Sequence, residues 1–234
     1  ISPETKLGKI EGWKPEEFLK KDNRKTYSIT HNEKVLNRYT ETELKRMMDN
    51  EQIGIATNGV MYRTDKKGLL PALLTKWFDE RVEYRNLSKK LYEDGDKEKS
   101  EYFDRRQHLQ KIVLNSLYGV LGLPAFRFYD LDNAEAVTST GQSLIKFTRK
   151  IGNVFYNKEL GDVKDHCIYI DTDSVFYSAL PIVKKRFPDL DVGNDDRMSK
   201  AILEIASEVQ AYLNHGYDYF AKKFCNLDKH RFDI

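Results

Sequence analysis

Hydrophobic positions recur at helical spacing over several long stretches of the chain, and in short alternating runs elsewhere. From about residue 72 to 92, Trp77, Phe78, Val82, Leu87 and Leu91 supply apolar contacts at helical spacing, with Pro71 near the start, where proline is tolerated. A polar turn, Glu93 to Glu98 around Gly95, leads to a second helix from about 98 to 118. Two helices joined by so short a loop are expected to lie antiparallel. Asn133 to Asn157 reads as a long helix with Ala136, Val137, Leu144, Ile145, Phe147, Ile151, Val154 and Phe155 as core candidates. Ser199 to about Phe220 is amphipathic, with Ile202, Ile205, Ala206, Val209, Leu213, Tyr217 and Phe220 on the expected core face. Glu41 to Asn50 reads as a shorter helix, with Thr40 or Thr42 as its cap.

The period-2 signals are fewer. Ile53 to Ala56 and Val60 to Arg63 flank Asn58-Gly59, a dipeptide that favours the primed hairpin turns. Asp65 to Gly68 reads as a second turn, and Phe126 to Tyr129 as a strand after Gly122 and Pro124. Cys167 to Ile170 and Val175 to Tyr177 are apolar runs on either side of Asp171-Thr172-Asp173-Ser174, a strand–turn–strand pattern. Residues 1–25 read as irregular and polar, with a short helix near Pro15, and residues 181–196 as a charged loop around Pro188. The predicted fold class is α+β: an antiparallel sheet backed by helices, with an inserted antiparallel pair of helices.

Three groups of residues carry candidate chemistry. Asp171 and Asp173 stand two apart, and residues i and i+2 of a strand point the same way. Such a pair suits a hard cation such as Mg²⁺, although an isolated Asp-Thr-Asp also fits a surface Asx turn. Lys111, Asn115 and Tyr118 are spaced four and three apart, so they share a helix face, with Ile112, Val113, Leu114 and Leu117 packing inward and Gly119 ending the helix. A lysine, an amide and a ring could serve a triphosphate and a base, or equally a solvated charge, a cap and a core aromatic. Arg81, Arg85 and Lys89 make a basic stripe on the preceding helix. The antiparallel pairing brings Arg81 and Arg85 towards Lys111, unless Asp79, Glu80 and Glu83 neutralise them on a solvated face.

Composition narrows the picture only a little. The chain has 234 residues and is 40% apolar, which argues against disorder and allows one or two domains with a core. A net charge of +2 gives no global field for nucleic acid, so basic groups matter only where they cluster. Two cysteines make no disulfide framework, and a reduced cytoplasmic setting is the simpler expectation. A signal peptide or long apolar run is missing, so no membrane partner is expected.

Taken together, Lys111-x-x-x-Asn115-Ser116-x-Tyr118-Gly119 followed by Tyr169-x-Asp171-Thr172-Asp173-Ser174 resembles family B DNA polymerases, the first as a fingers helix and the second as a metal-binding palm hairpin. Phe126 to Ala134 and Ala136 to Gln142 resemble the family's palm segment. Ile1 to Thr5 resembles the stretch after the family's first metal motif, most closely in T-even-like phage polymerases. No Asp-x-x-Ser-Leu-Tyr-Pro pattern, Lys-Lys-Arg-Tyr motif or exonuclease is found, so the resemblance implies a piece of a longer polymerase. Residues 1–70 and 119–234 would be palm and 71–118 fingers. The implied reaction is template-directed nucleotidyl transfer from a dNTP to a primer 3′-hydroxyl with two Mg²⁺ ions. Asp171 and Asp173 would be catalytic and metal-binding, Asp173 first as a direct ligand. Arg81, Arg85 and Lys111 would hold the β- and γ-phosphates, supported by Asn115, with Tyr118 beside the nascent base pair. Arg85 stands where several relatives have lysine. Gly141 and Gln142 would approach primer–template DNA. A sliding clamp, reached through segments outside this chain, and a cytoplasmic location (the host's, for a virus) complete the implied picture, with the isolated piece inactive. The alternative is a non-catalytic DNA- or protein-binding module derived from a polymerase.

Overall fold

Short alternating segments in the first part of the chain pair into a sheet, and the rest is mostly helix. The computed structural model describes residues 1–18, 25–31, 34–190 and 195–232. A 3-10 turn at Pro3–Thr5 leads into strand β1 (Lys6–Ile10), helix α1 (Pro15–Phe18), strands β2 (Thr26–His31) and β3 (Lys34–Thr40), helix α2 (Glu41–Asn50), and strands β4 (Ile53–Ile55) and β5 (Val60–Arg63). Helices α3 (Leu69–Glu93), α4 (Lys97–Val120) and α5 (Leu131–Leu160) follow, then strands β6 (Cys167–Asp171) and β7 (Ser174–Tyr177), and helices α6 (Leu180–Arg186) and α7 (Asp195–Phe224). The chain divides into two compact units, Ile1–Trp13 with Asp22–Val137, and Lys14–Lys21 with Thr138–Ile234. A mixed architecture with an antiparallel sheet and helices is therefore present, as expected.

In the first unit the sheet order is β3-β2-β1-β5-β4, antiparallel at every pairing. Helix α2 packs against β2, β3 and β4 and buries Leu44 and Met48. Its start is fixed by a capping box: the Thr40 hydroxyl accepts from Glu43 N, and the Glu43 carboxylate accepts from Thr40 N. The parity of β5 puts Val60 and Tyr62 on the face covered by Ala136 of α5. There the Tyr62 hydroxyl donates to Asn133 Oδ1 at 2.5 Å. Helix α3 receives its cap from far away in sequence. Gly68 offers no side chain, and Leu69 N donates instead to the Glu4 carboxylate.

In the second unit α5 and α7 run antiparallel. Phe155 meets Tyr212, Thr148 shares a 2.9 Å hydrogen bond with Tyr217, and Phe147 packs on Phe220. Phe155, Tyr156, Ile182, Val183, Ala201 and Ile205 form the core. Arg186 of α6 ties the helices together, donating to Glu159 of α5 and Glu208 of α7 at 2.7 Å each.

Several sequence readings need correction. Residues 1–18 are not irregular: β1 is the middle strand of the sheet. Its two lysines hid it. Lys6, whose side chain is only 8% exposed, pairs with Asp130 and Asp132, and Lys9 pairs with Asp132 and Glu135. Those partners lie more than a hundred residues away, so local pattern could not reveal that the charges were satisfied. Strands β2 and β3 also went unread, since β3 is an edge strand with Val35 and Leu36 exposed and no alternation. The β4–β5 loop has positive φ at Gly59 but not at Asn58, with Gly59 N donating to Ala56 O and Ala56 N to Val60 O. That is a three-residue loop ending in a glycine bulge, not a primed turn. Phe126 to Tyr129 is a run of turns, closed by Phe126 N→Leu123 O and Tyr129 N→Phe126 O. Leu180–Arg186, read as loop, is helical. On α5, Val137 and Val154 are exposed while Thr148 is buried; on α7, Ile202 and Ala206 face solvent while Ala201 and Ala221 are buried. The rest of the predicted α7 stripe faces the core, with Ile205, Tyr217 and Phe220 buried and Val209 and Leu213 half-buried. The readings of residues 19–24 and 191–194 lie outside the described residues.

The buried Cys225 thiol yields a pH prediction. Burial pushes it up from 9.0 to about 12. The unfolded thiol ionises near 9 and the folded one near 12, so its contribution is complete below 9 and is lost as pH rises towards 12. Unfolding free energy should therefore fall across that window by up to about 1.4 kcal/mol per pH unit from this group. Urea midpoints should show a shallower alkaline slope for Cys225→Ala than for the parent chain, despite a lower value at neutral pH.

Candidate active site

Backbone pairing decides where the two carboxylates stand. Asp171 closes β6 opposite Ser174, and Thr172 and Asp173 form a two-residue turn. Asp173 is therefore not on a strand, and the two side chains do not share a strand face as the i, i+2 argument supposed. Both are exposed because the turn projects them. Thr172 has φ of 34°, uncommon for a β-branched residue. Its hydroxyl donates to Asp171 Oδ1 at 3.0 Å, and Ser174 Oγ donates to Asp171 O at 3.2 Å. Among the described residues neither carboxylate has an ion-pair partner. Two exposed carboxylates with open coordination fit a hard, partly hydrated divalent cation such as Mg²⁺, which is usually bound through one or two carboxylates plus water or phosphate. Among the described residues no cluster of three His, Cys, Asp or Glu could hold a metal by itself.

Helix α5 fastens this hairpin. Asp165, just before β6, accepts from Arg149, from Asn153 Nδ2 at 2.7 Å, and from Cys167 N at 3.1 Å. The Arg149 guanidinium and then the Asn153 amide hold its carboxyl down to about 2. Asn153 Oδ1 also accepts from His166 N at 2.8 Å. At the other end, Tyr177 of β7 stacks on Tyr156 with ring centroids 4.8 Å apart, and its hydroxyl donates to Arg149 O at 2.8 Å. Burial pushes the Tyr177 phenol well above its usual range. The ring fits only because residue 152 is glycine: a Cβ there would lie 2.4 Å from the Tyr177 oxygen. None of Arg149, Gly152, Asn153, Asp165 or Tyr177 was singled out from the sequence. The available signal was weak, an arginine and an asparagine one helical turn apart with a glycine between.

The cationic helices form a second candidate group, within the first unit. Ser88 and Ser100 exchange hydrogen bonds with each other's carbonyls at 3.0 and 2.9 Å, Arg81 Nε donates to Gln107 Oε1 at 3.4 Å, and Gln110 Nε2 donates to Glu80 Oε2 at 2.6 Å. These rungs establish the antiparallel pairing of α3 and α4. Lys111 follows Gln110, so the register puts it about one turn from Arg81 and further from Arg85. Asp79, Glu80 and Glu83 do not neutralise Arg81, Arg85 or Lys111 among the described residues. Lys111, Asn115 and Tyr118 are exposed on one face of α4. Two readings fail here. Ile112 and Val113 are exposed and only Leu114 and Leu117 turn inward. Gly119 lies inside α4 without positive φ, and the helix ends at Leu121. Gly141 and Gln142 are exposed on α5, in the second unit with Asp171 and Asp173; open space surrounds Gly141.

Residues 24–190 match the family described as DNA polymerase family B. A DNA-directed DNA polymerase of Escherichia phage RB69 is 28% identical over 218 residues, covering 68% of this chain and 24% of that protein. A DNA polymerase of Pyrococcus glycovorans is 36% identical over 170 residues, covering 70% and 20%. Over 77 residues, 32% of this chain and 9% of the relative, the DNA-directed DNA polymerase of Enterobacteria phage T4 is 42% identical. The structure of the family B DNA polymerase from Pyrobaculum calidifontis aligns with a TM-score of 0.42 at 28% identity, covering 59% of this chain and 18% of that one. The chain thus spans about a quarter or less of the length of these relatives.

The packing of Tyr177 over Gly152 is directly testable. Gly152→Ala should cost about 1–3 kcal/mol by overpacking, and Tyr177→Phe about 1 kcal/mol for the lost hydrogen bond. Because the new methyl and the phenol oxygen compete for one space, the double variant should be destabilised by less than the sum. Denaturant titration of the four proteins measures that coupling, and strict additivity would contradict the packing described.

Proposed function

Because the chain belongs to DNA polymerase family B, we propose that it is the palm and fingers part of a DNA-directed DNA polymerase, catalysing transfer of a nucleotide from a dNTP to a primer 3′-hydroxyl on template DNA. Residues 1–70 and 119–234 are assigned to the palm and 71–118 to the fingers. The observation that carries the proposal is the Asp171-Thr172-Asp173 turn: two exposed carboxylates, unpaired among the described residues, on a hairpin fastened to a long helix.

Phosphoryl transfer asks a protein chiefly for positioning and charge stabilisation. Asp173, with Asp171 beside it, would ligate divalent cation. A pair of Mg²⁺ ions bound there would supply charge stabilisation to the attacking and leaving oxygens. Arg81, Arg85 and Lys111 are assigned to the β- and γ-phosphates of the dNTP, a role supported by their freedom from carboxylates among the described residues. An arginine at 85 would grip phosphate through a planar fork where a lysine would act as a point charge. Asn115 would support that contact by hydrogen bonding, and Tyr118, exposed on the same face, would lie against the nascent base pair. Gly141, open on its outer side, and Gln142 would let the primer–template backbone come close to α5.

In the full-length parent enzyme, Asp173→Ala should lower primer extension at saturating Mg²⁺ by at least about 100-fold, since a lost metal ligand removes several kcal/mol of charge stabilisation. It should do so without changing the denaturation midpoint, because Asp173 is exposed. Near-normal extension would refute the metal role. Two carboxylates, with no third acidic ligand grouped beside them among the described residues, leave most of a cation's shell unfilled. This chain alone should therefore extend a primer little or not at all, and efficient extension would contradict that incomplete ligand set.

A further inference from the structure

The second unit also carries a basic groove. It encloses about 460 Å³ between the solvent face of α5 and residues 163–165. Lys146, Arg149 and Lys150 line one side and Lys164 the other, against the single carboxylate of Asp165. The charges differ in availability. Arg149 is committed to Asp165, and Lys164 to Asp162 at 2.9 Å. Lys146 and Lys150 are exposed and carry no ion pair among the described residues. The two amides in the groove are also committed: Asn153 to Asp165 and His166, and Asn157 Oδ1 to Lys164 N at 3.1 Å.

We infer that this groove binds the phosphate backbone of a nucleic-acid strand, through residues other than those of the acidic turn. Its available donors are ammonium groups, which act as point charges suited to phosphate. Four cations against one carboxylate complement a polyanion, and the Arg149 guanidinium is bound to Asp165, which leaves the ammonium groups to take the phosphates. Contacts between lysine and phosphate carry no base readout, so binding is sequence-independent. Lys146 and Lys150 lie one helical turn apart, about 6 Å along α5, a repeat that adjacent phosphates of one strand can meet. The remaining lining includes Val154 and Val163, both exposed, which offer apolar contact to sugar or base edges. The inference concerns binding alone and does not require the catalytic assignment: loss of a metal role for Asp173 would leave it standing.

The test is fluorescence anisotropy of a labelled, mixed-sequence single-stranded DNA titrated with this chain at several salt concentrations. Lys146→Ala with Lys150→Ala should weaken binding about tenfold and reduce the log–log salt slope by ~1.4, the value for two phosphate contacts on single strands. Lys146→Arg with Lys150→Arg should retain both affinity and slope, which guards against a folding defect. The equally charged pair Lys222→Ala with Lys223→Ala, exposed at the end of α7, should change neither. The inference is overturned if the chain binds no DNA, if the α7 pair weakens binding as much as the α5 pair, or if polyglutamate of equal charge displaces the DNA as well as unlabelled DNA does.

Discussion

The acidic turn depends on how its hairpin is attached to α5. Two strands of four or five residues are marginal by themselves in water, and Ile168, Tyr169 and Phe176 are exposed. What holds them is one polar node and one aromatic contact. Asp165 gathers Arg149, Asn153 and the backbone of Cys167, while Tyr177 lies over Gly152 and reaches the carbonyl of Arg149. Both fastenings use the same turn and a half of α5. A helix is stiff, so two attachments to it fix the direction of the turn between the strands. Asp171 and Asp173 inherit their position from residues that contribute no chemistry themselves.

Charge is distributed in the same economical way. The chain is nearly neutral overall, and much of its charge is used internally. Lys6 and Lys9 are consumed by Asp130, Asp132 and Glu135 to join the sheet to the start of α5. Arg186 is consumed by Glu159 and Glu208. Among the groups without an ion pair in the described residues are the carboxylates at the turn, Arg85 and Lys111 on the helix pair, and Lys146 and Lys150 on α5. The seam between α3 and α4 is itself partly polar, with Ser88, Ser100, Gln107 and Gln110 bridging the helices. Fewer apolar contacts hold such a pair than would hold a leucine seam, and its identity as a helical hairpin rests on register as much as on burial.

Legibility from sequence followed the range of each interaction. Local signals located elements better than their details: α2, with Thr40 one of two caps offered, the β4–β5 hairpin without its turn type, both helices of the pair and the β6–β7 hairpin all depend on neighbours within a few residues. Long-range satisfaction was invisible. β1 looked like a polar, irregular segment because its lysines find carboxylates only after the chain returns at Asp130. Glu4 capping α3 and Tyr177 seated on Gly152 are of the same kind. Within amphipathic helices, periodicity located most of the apolar stripe, but it could not tell that Thr148 would be buried against Tyr217 or that Ile112 and Val113 would stay outside. The candidate site was legible as residue types and spacing. Its supports were not, because a helix glycine and an isolated aspartate carry no meaning until their partners are known.

The central claim is that the Asp171-Thr172-Asp173 turn presents a cation-binding pair. Paramagnetic broadening by Mn²⁺, used as a stand-in for Mg²⁺ in amide NMR spectra of this chain, tests it most directly. The account predicts selective broadening at Asp171, Thr172, Asp173 and Ser174 at millimolar Mn²⁺, abolished in Asp171→Asn with Asp173→Asn. Broadening spread evenly over surface carboxylates, or unchanged in that variant, would contradict it.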